Sequence, residues 1–329
     1  MNNLNNAPEP LKSFLIYIES IQGKSLNTAN EYFYDLRTFY RFLVMHFNSI
    51  DEGVEFESID ISGVDIDLLK KVDLDVVYEY VNFLNRDKNN SNITRARKIS
   101  ALRSYFKYLC NKKKLLDENP TADLDSIKIP KRLPHYFTLE NSLKLLEAVQ
   151  DSRNPERDYC ILTLFLNCGL RLSELVSIDL TDIQDNTLVV TGKGDKERTI
   201  YLNEACIDAI KQYIPVRNRQ NPSAFNKNAL FLSERNNRIS TRSVQRVVEN
   251  TVKKIGLDPH KYTTHKLRHT AATLMNQSGV DIRDLQEILG HKQLSTTEIY
   301  THVDSERLRQ AVDKNPLANV KIHSEDNED

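Results

Sequence analysis

From Thr264 to Val303 the chain reads THKLRHTAATLMNQSGVDIRDLQEILGHKQLSTTEIYTHV, and the spacing of its apolar residues admits little but short, closely joined helices. Leu267, Ala271 and Leu274 recur at helical spacing, so His265 and Arg268, three apart, share the opposite face. Gly279 supplies a stop. Ile282, Leu285, Ile288 and Leu289 then form a second amphipathic set ending at Gly290, with His291 just past its end. Ser295 and Glu298 have the spacing of a capping box, which opens a third short helix carrying Tyr300 one turn in. Two histidines, an arginine and a tyrosine are thus delivered by three short helices.

A chain of 329 residues is long enough for two domains, each with its own core. Lys and Arg number 45 against 46 Asp and Glu, a net charge of -1 that does not itself announce a nucleic-acid protein. The distribution says more. Arg86 to Lys114 holds ten bases and one acid, Asp87, whereas Asp51 to Glu79 holds ten acids against Lys70 and Lys71. Cys110, Cys160, Cys168 and Cys206 show no C-x-x-C pairing and three lie in apolar runs, which points to reduced thiols in a reducing compartment. No apolar stretch is long enough to span a bilayer and the N-terminus lacks signal-peptide character, so the expected location is the cytoplasm, with no membrane partner.

In chain order, Pro10 opens a helix carrying Leu11, Phe14, Leu15 and Ile18, and Ser25 or Asn27 caps a longer one with Tyr32, Leu36, Phe39 and Leu43. Asn48 to Asp73 is acidic and weakly periodic and reads as a surface excursion. Val76, Val77, Tyr80, Val81 and Leu84 mark another helix. The next has Ile99, Leu102, Phe106 and Leu109 on its buried side and bases around the rest, among them Arg95, Arg97, Lys98, Arg103 and Lys107. A helix of that kind suits DNA phosphates, the plainer reading being a solvated lysine-rich face. Residues 1–116 therefore form an N-terminal helical domain. Residues 117–134, with Pro120, Pro130, Pro134, Lys128, Lys131 and Arg132, form an extended basic linker.

A second domain spans 135–322, before an acidic tail at 323–329. Thr138 opens a helix, and Tyr159 to Leu166 is apolar on nearly every side before Gly169, as befits a helix at a domain centre. In GLRLSEL, Arg171 sits at the entry of a new helix. Two readings of it stand: a fixed guanidinium fork for an oxyanion, or a structural arginine paired with Glu174. Thr187–Thr191 and Arg198–Leu202 are β-rich runs joined through Gly192, Lys193 and Gly194, a hairpin signal. Helices capped by Asn203 and Ser240 follow as scaffold. The fold class is mainly α, with a small antiparallel β-sheet in the second domain.

The chemistry narrows by elimination. GKG lacks the G-x-x-x-x-G-K-[ST] phosphate loop. His265 and His269 are four apart as in a zinc site, but the residues between them are Lys, Leu and Arg, with no glutamate base, and adjacent cations repel a divalent metal. Arg171, Lys193, Arg268 and His291 instead describe a pocket for a dense anion. Tyr300 is the nucleophile beside it. With a pKa near ~10 a tyrosine is about a thousandth ionised at pH 7, so a catalytic one needs roughly 4 kcal/mol of help from cations or a base. A lone tyrosine is otherwise a buried aromatic with a satisfied hydroxyl.

The set GLRLSEL, TGKGDKER, HKLRHTAATLM, LGHKQLSTTEIYTHV and ERLRQAVDKNPLA, in this order, resembles the tyrosine site-specific recombinases of the phage integrase family, in pattern the bacterial Xer subgroup. The resemblance extends to SLNTANEYFYDLRTFYRFL near the N-terminus. It implies a SAM-like helical DNA-binding domain and a catalytic domain that clamp double-stranded DNA at a specific recombination site, with a tetramer of recombinase subunits joining two sites. It also implies that Tyr300 forms a 3′-phosphotyrosyl link while a 5′-hydroxyl leaves, without metal, ATP or other cofactor. Arg171, Arg268 and His291 are implied to hold the phosphate, Lys193 to protonate the leaving oxygen, His265 to assist proton transfer and Glu174 to orient its neighbours.

Chromosome-dimer resolution and mobile-element integration share this chemistry and stay open, as do homo- or heterotetramer and an accessory DNA translocase. The chain's compact start leans towards the Xer type. Two other classes are a DNA-binding regulator without catalysis, disfavoured by the intact residue set, and a type IB topoisomerase, which acts alone. After Tyr300, Leu308, Ala311 and Val312 form an apolar stripe on a short helix, which the resemblance directs into a neighbouring subunit.

Overall fold

The computed structural model describes residues 7–48, 53–129, 135–192, 197–290, 312–318 and 320. Lys131, Arg132, Lys193, His291, Tyr300 and Leu308 lie outside them, as does the capping-box helix from Ser295. The chain divides into two compact units, Met1–Arg132 and Leu133–Asp329.

The first unit is helical among the described residues: α1 Glu9–Ile16, α2 Leu26–Phe47, α3 Ile66–Lys70, α4 Leu74–Arg86 and α5 Asn92–Tyr108. Side-chain oxygens of Ser25, Asp65, Asp73 and Ser91 accept first-turn amides of α2, α3, α4 and α5, which is why these helices start where they do. Phe14, Phe39, Tyr40, Tyr80, Tyr105 and Phe106 are fully buried at the centre, each contributing about 1.5–3 kcal/mol by burial.

The acidic excursion corrects the surface reading. Ile59, Ile61, Val64, Leu69 and Val72 are all buried, and Ile61, Val64, Leu69 and Val72 join the unit's core. Its periodicity is weak because the segment crosses the core in short pieces, and two of its acids, Asp65 and Asp73, are helix caps.

In the second unit α6 Leu139–Ala148, α7 Pro155–Cys168 and α8 Leu172–Ser177 precede a three-stranded antiparallel sheet, β1 Ile183–Gln184, β2 Thr187–Thr191 and β3 Glu197–Tyr201. Helices α9 Glu204–Asn218, α10 Thr241–Lys254, α11 Thr264–Gln277 and α12 Ile282–Leu289 follow. The sheet runs in the order β1-β2-β3, with Thr187 opposite Tyr201 and Thr191 opposite Glu197. Helix α7 is buried from Arg157 to Cys168, as its all-round apolar sequence requires. Cys160, Cys168 and Cys206 are free, buried thiols, and Cys110 is free and half-buried.

Val312 is buried among Ala271, Met275, Val280, Leu285 and Ile288 of its own unit, and Asn315 Nδ2 donates to the Leu166 carbonyl at 2.9 Å. Val312 thus packs in a groove between α11 and α12 of its own unit, while Leu308 and Ala311 of the same stripe lie outside the described residues. Among the described residues no helix is long and apolar enough to cross a membrane.

Candidate active site

The site begins at Gly169, which ends α7 in the left-handed conformation, φ 58°. A Cβ there would stand 2.6 Å from Leu289 Cδ2, so glycine is required both by the backbone and by the close approach of α12. Two residues on, Arg171 is the N-cap of α8. Its amide donates to Glu174 Oε2 at 2.8 Å and its Nη1 to Glu174 Oε1 at 2.6 Å. The pairing named as the structural alternative for Arg171 is thus present.

Glu174 serves more than Arg171. Arg198 on β3 grips the same carboxylate with both arms, Nη1 to Oε1 at 2.7 Å and Nη2 to Oε2 at 2.9 Å. Arg268 on α11 brings Nη1 to 3.8 Å of Oε2. Three guanidinium groups therefore surround one carboxylate whose side chain is 1% exposed. Burial pushes the Glu174 carboxyl up, but hydrogen bonds from Arg198 and from the amide and side chain of Arg171, with the Arg198 charge, outweigh it and hold the pKa at about 2. Desolvation, then the Arg171 charge, brings Arg268 down to about 10, still a cation at neutral pH.

The same arginines close the end of α12. Arg198 Nε donates to the carbonyl of Ile288 at 3.2 Å, Arg268 Nη2 to that of Leu289, and Arg171 Nη2 to that of Gly290 at 3.2 Å. A helix leaves its last carbonyls without intrahelical donors and carries a partial negative charge there. Here three cations supply the donors on consecutive residues, immediately before His291. Arg268 Nη1 also donates to the Gly169 carbonyl, which ties α7, α11 and α12 together. The side chain of Arg171 remains 37% exposed against 7% for Arg268, so Arg171 faces outward.

One turn before Arg268, His265 is exposed on the open side of α11. Partial desolvation of the ring, then the charges of His269, Lys266 and Arg268, hold its pKa below the ordinary 6.5 and favour the neutral imidazole. With one carboxylate among three guanidiniums, the cluster carries a surplus of two positive charges on side chains that are already hydrogen-bonded in place. It can receive an anion with two or more charged oxygens without further ordering.

Arg198 is the participant that sequence reasoning missed, having read it only as part of a β-rich run. The signal was present: Arg198 is in phase with Ile200 and Leu202, 3% and 6% exposed, and pairs across the sheet with Val190, 3% exposed. An arginine on the inward face of a strand needs a buried partner.

The basic residues of α5 have separate fates. Arg97 bonds Glu31 at 2.8 Å and Asp35 at 2.6 Å, and Lys98 bonds Asp35 at 3.2 Å. Arg103 donates to the Leu124 carbonyl and Arg95 to Asn92 Oδ1 at 2.8 Å, whereas Lys107 and Lys128 are exposed.

Comparison with known proteins completes the picture. The model of the phage integrase family matches residues 135–307. Tyrosine recombinase XerC of Caldanaerobacter subterraneus subsp. tengcongensis is 51% identical over 312 residues, 94% of this chain and 88% of that protein. The protein of the same name from Thermodesulfovibrio yellowstonii is 35% identical over 317 residues, 94% and 96% of the two chains. Among solved structures, XerH site-specific recombinase bound to palindromic difH substrate in a post-cleavage complex matches with TM-score 0.66 and 25% identity, over 95% of this chain and 86% of that one. A lambda integrase dimer bound to a COC′ core site shares the fold, with TM-score 0.62 and 20% identity over 88% and 98% of the chains. The chain belongs to the phage integrase family, as a tyrosine recombinase of the Xer type.

Proposed function

We propose that this chain cuts and rejoins DNA at a specific recombination site of the chromosome, in the cytoplasm, as one subunit of a tetramer that resolves chromosome dimers. The observation that carries the reading is the cluster of Arg171, Arg198 and Arg268 around Glu174, a fixed positive surplus at the end of the helix that leads into His291. DNA phosphate is the anion that matches it. Arg171, Arg268 and His291 bind the non-bridging oxygens as charge grows on them, and donors fixed where charge develops are the largest single contribution to such a reaction.

Tyr300 Oη forms its bond to phosphorus as the bond from phosphorus to the 5′-oxygen breaks. The phenolic proton passes to His265, whose depressed pKa supports a neutral ring at pH 7, and the Lys193 ammonium gives its proton to the leaving oxygen. The phosphotyrosyl bond conserves the ester, so the free 5′-hydroxyl of a partner strand reverses the step. Exposed Lys107 and Lys128 are the phosphate contacts proposed for the first unit; Arg95, Arg97, Lys98 and Arg103 are engaged within it and serve less directly, and Lys131 and Arg132 are proposed to add to the same contacts.

The test is a denaturing gel of the protein with nicked site DNA. The expected result is a covalent adduct with the wild type and none with Tyr300→Phe at equal DNA affinity. An adduct of undiminished yield with Tyr300→Phe would remove Tyr300 as the nucleophile.

A further inference from the structure

Arg198 stands five residues after Lys193 in sequence, on β3, and its side chain leads away from solvent, 14% exposed. Each of its three nitrogens already has a partner: Nη1 and Nη2 hold the two oxygens of Glu174, and Nε holds the carbonyl of Ile288. Three of its five N–H donors are engaged, and at 14% exposure against 37% for Arg171 its side chain is turned to Glu174 and α12 more than outward. Its stem is equally confined, because a Cβ at Gly290 would meet Arg198 Cδ at 3.0 Å. Gly290 has φ 64°, so both its backbone and its neighbour call for glycine.

We propose that Arg198 is a positioning residue for strand cleavage: it locks Glu174 and the last turn of α12 to β3, so that Arg171, Arg268, β3 and the end of α12 keep one mutual geometry. The inference rests on the functional reading given above.

The physical case lies in what Glu174 does without Arg198. Its two oxygens would then answer only to Arg171, at 2.6 Å, and to Arg268, now at 3.8 Å. The carboxylate would draw those guanidiniums inward, towards itself and away from an incoming phosphate. The Ile288 carbonyl would lose its donor at the same time, loosening the residues that lead to His291. A lysine cannot replace the arginine, since an ammonium is a single point of charge and cannot bridge two carboxylate oxygens while also reaching a helix carbonyl. The depressed pKa of Glu174, to which the Arg198 hydrogen bond is the first-ranked contributor against burial, agrees with this view of the carboxylate as held chiefly from β3.

The experiment measures single-turnover formation of the covalent adduct on nicked site DNA, with DNA affinity and thermal unfolding measured on the same samples. Arg198→Gln should slow cleavage on the order of 100-fold, the scale of a displacement of about 1 Å among catalytic groups, with DNA affinity changed less than about threefold. Arg198→Lys, which keeps the charge and threatens the fold less, should still lose about tenfold or more. The decisive readout is the pairing with Glu174→Gln. If Arg198 acts through Glu174, the double variant should be no slower than the slower single variant, whereas independent roles would multiply. Three results would overturn the inference: cleavage by both Arg198 variants within about threefold of wild type, losses matched by a lost folded fraction, or multiplying losses in the double variant. Absence of any adduct from the wild type would strike the functional reading instead, and the Tyr300→Phe control separates the two.

Discussion

Each unit buries a carboxylate among several bases, and the two clusters, around Asp35 and around Glu174, have opposite characters. In the first unit Asp35, 3% exposed, lies between Arg97 and Lys98, with Glu31 also on Arg97. Two acids meet two bases. Burial dominates there, raising Asp35 above its ordinary carboxyl value and lowering Lys98 below its ordinary ammonium value. In the second unit Glu174, 2% exposed, meets three guanidiniums and falls to about 2. The first cluster cancels its charge and fastens α5 to α2. The second keeps a positive surplus, and Arg171 turns part of it outward. Burial of an ion pair therefore does not mark a site; an unbalanced sum on side chains already held in place does.

The sharpest test of that contrast removes one base from each cluster. Arg171→Ala or Arg268→Ala should cost on the order of 3 kcal/mol in the chemical step, as loss of a preorganised charge donor does. Arg97→Ala, from a half-exposed pair, should leave adduct formation within about threefold. Single-turnover rates at saturating DNA would check both, and equal losses in the two units would erase the distinction.

A second test reads the carboxylates through pH. Glu174 has a folded pKa of about 2 against an ordinary 4.5, so its ionisation contributes stability that is fully present above pH 4.5 and lost as pH falls through 2. Glu174→Gln should therefore be less stable than wild type at pH 7, by about 3 kcal/mol at most, with the gap shrinking in acid. Asp35 is raised above 3.8, so the folded state holds its proton longer than the unfolded chain does, and stability from that group falls as pH rises through this range. Asp35→Asn compared with wild type should show the opposite slope. Chemical unfolding from pH 3 to pH 7 would reveal it, and slopes of one sign would contradict the comparison.

The smallest expected effect concerns DNA binding by the first unit. Exposed Lys107 has its charge available for a phosphate, whereas the charge of Arg97 is committed to Asp35 and Glu31. Lys107→Ala should lower the slope of log affinity against log salt by about 0.9, one released counterion, and Arg97→Ala by clearly less. A salt titration of both variants on site DNA decides between them.

What was legible in the sequence was what local physics controls. Ser25, Thr138, Asn203 and Ser240 are caps because a short polar side chain before an apolar stripe satisfies first-turn amides wherever it occurs. The buried length of α7, the stop at Gly169 and the antiparallel pairing of β2 with β3 follow equally from spacing, whereas the shared open face expected of His265 and Arg268 does not hold: Arg268 is 6% exposed and bound to the Gly169 and Leu289 carbonyls, and only His265 is exposed. Ordered motifs carried the family. Tertiary structure decided how the charges are shared. Which bases of α5 meet Asp35, that Arg198 and not Arg171 alone holds Glu174, and that three arginines take the carbonyls of Ile288, Leu289 and Gly290 all depend on elements distant in sequence. The core role of the Ile59 to Val72 segment and the burial of Val312 belong with them. Periodicity along one element reports which side of it is buried, but the partner of a buried charge is supplied by another element, and only the packed chain brings the two within hydrogen-bond reach.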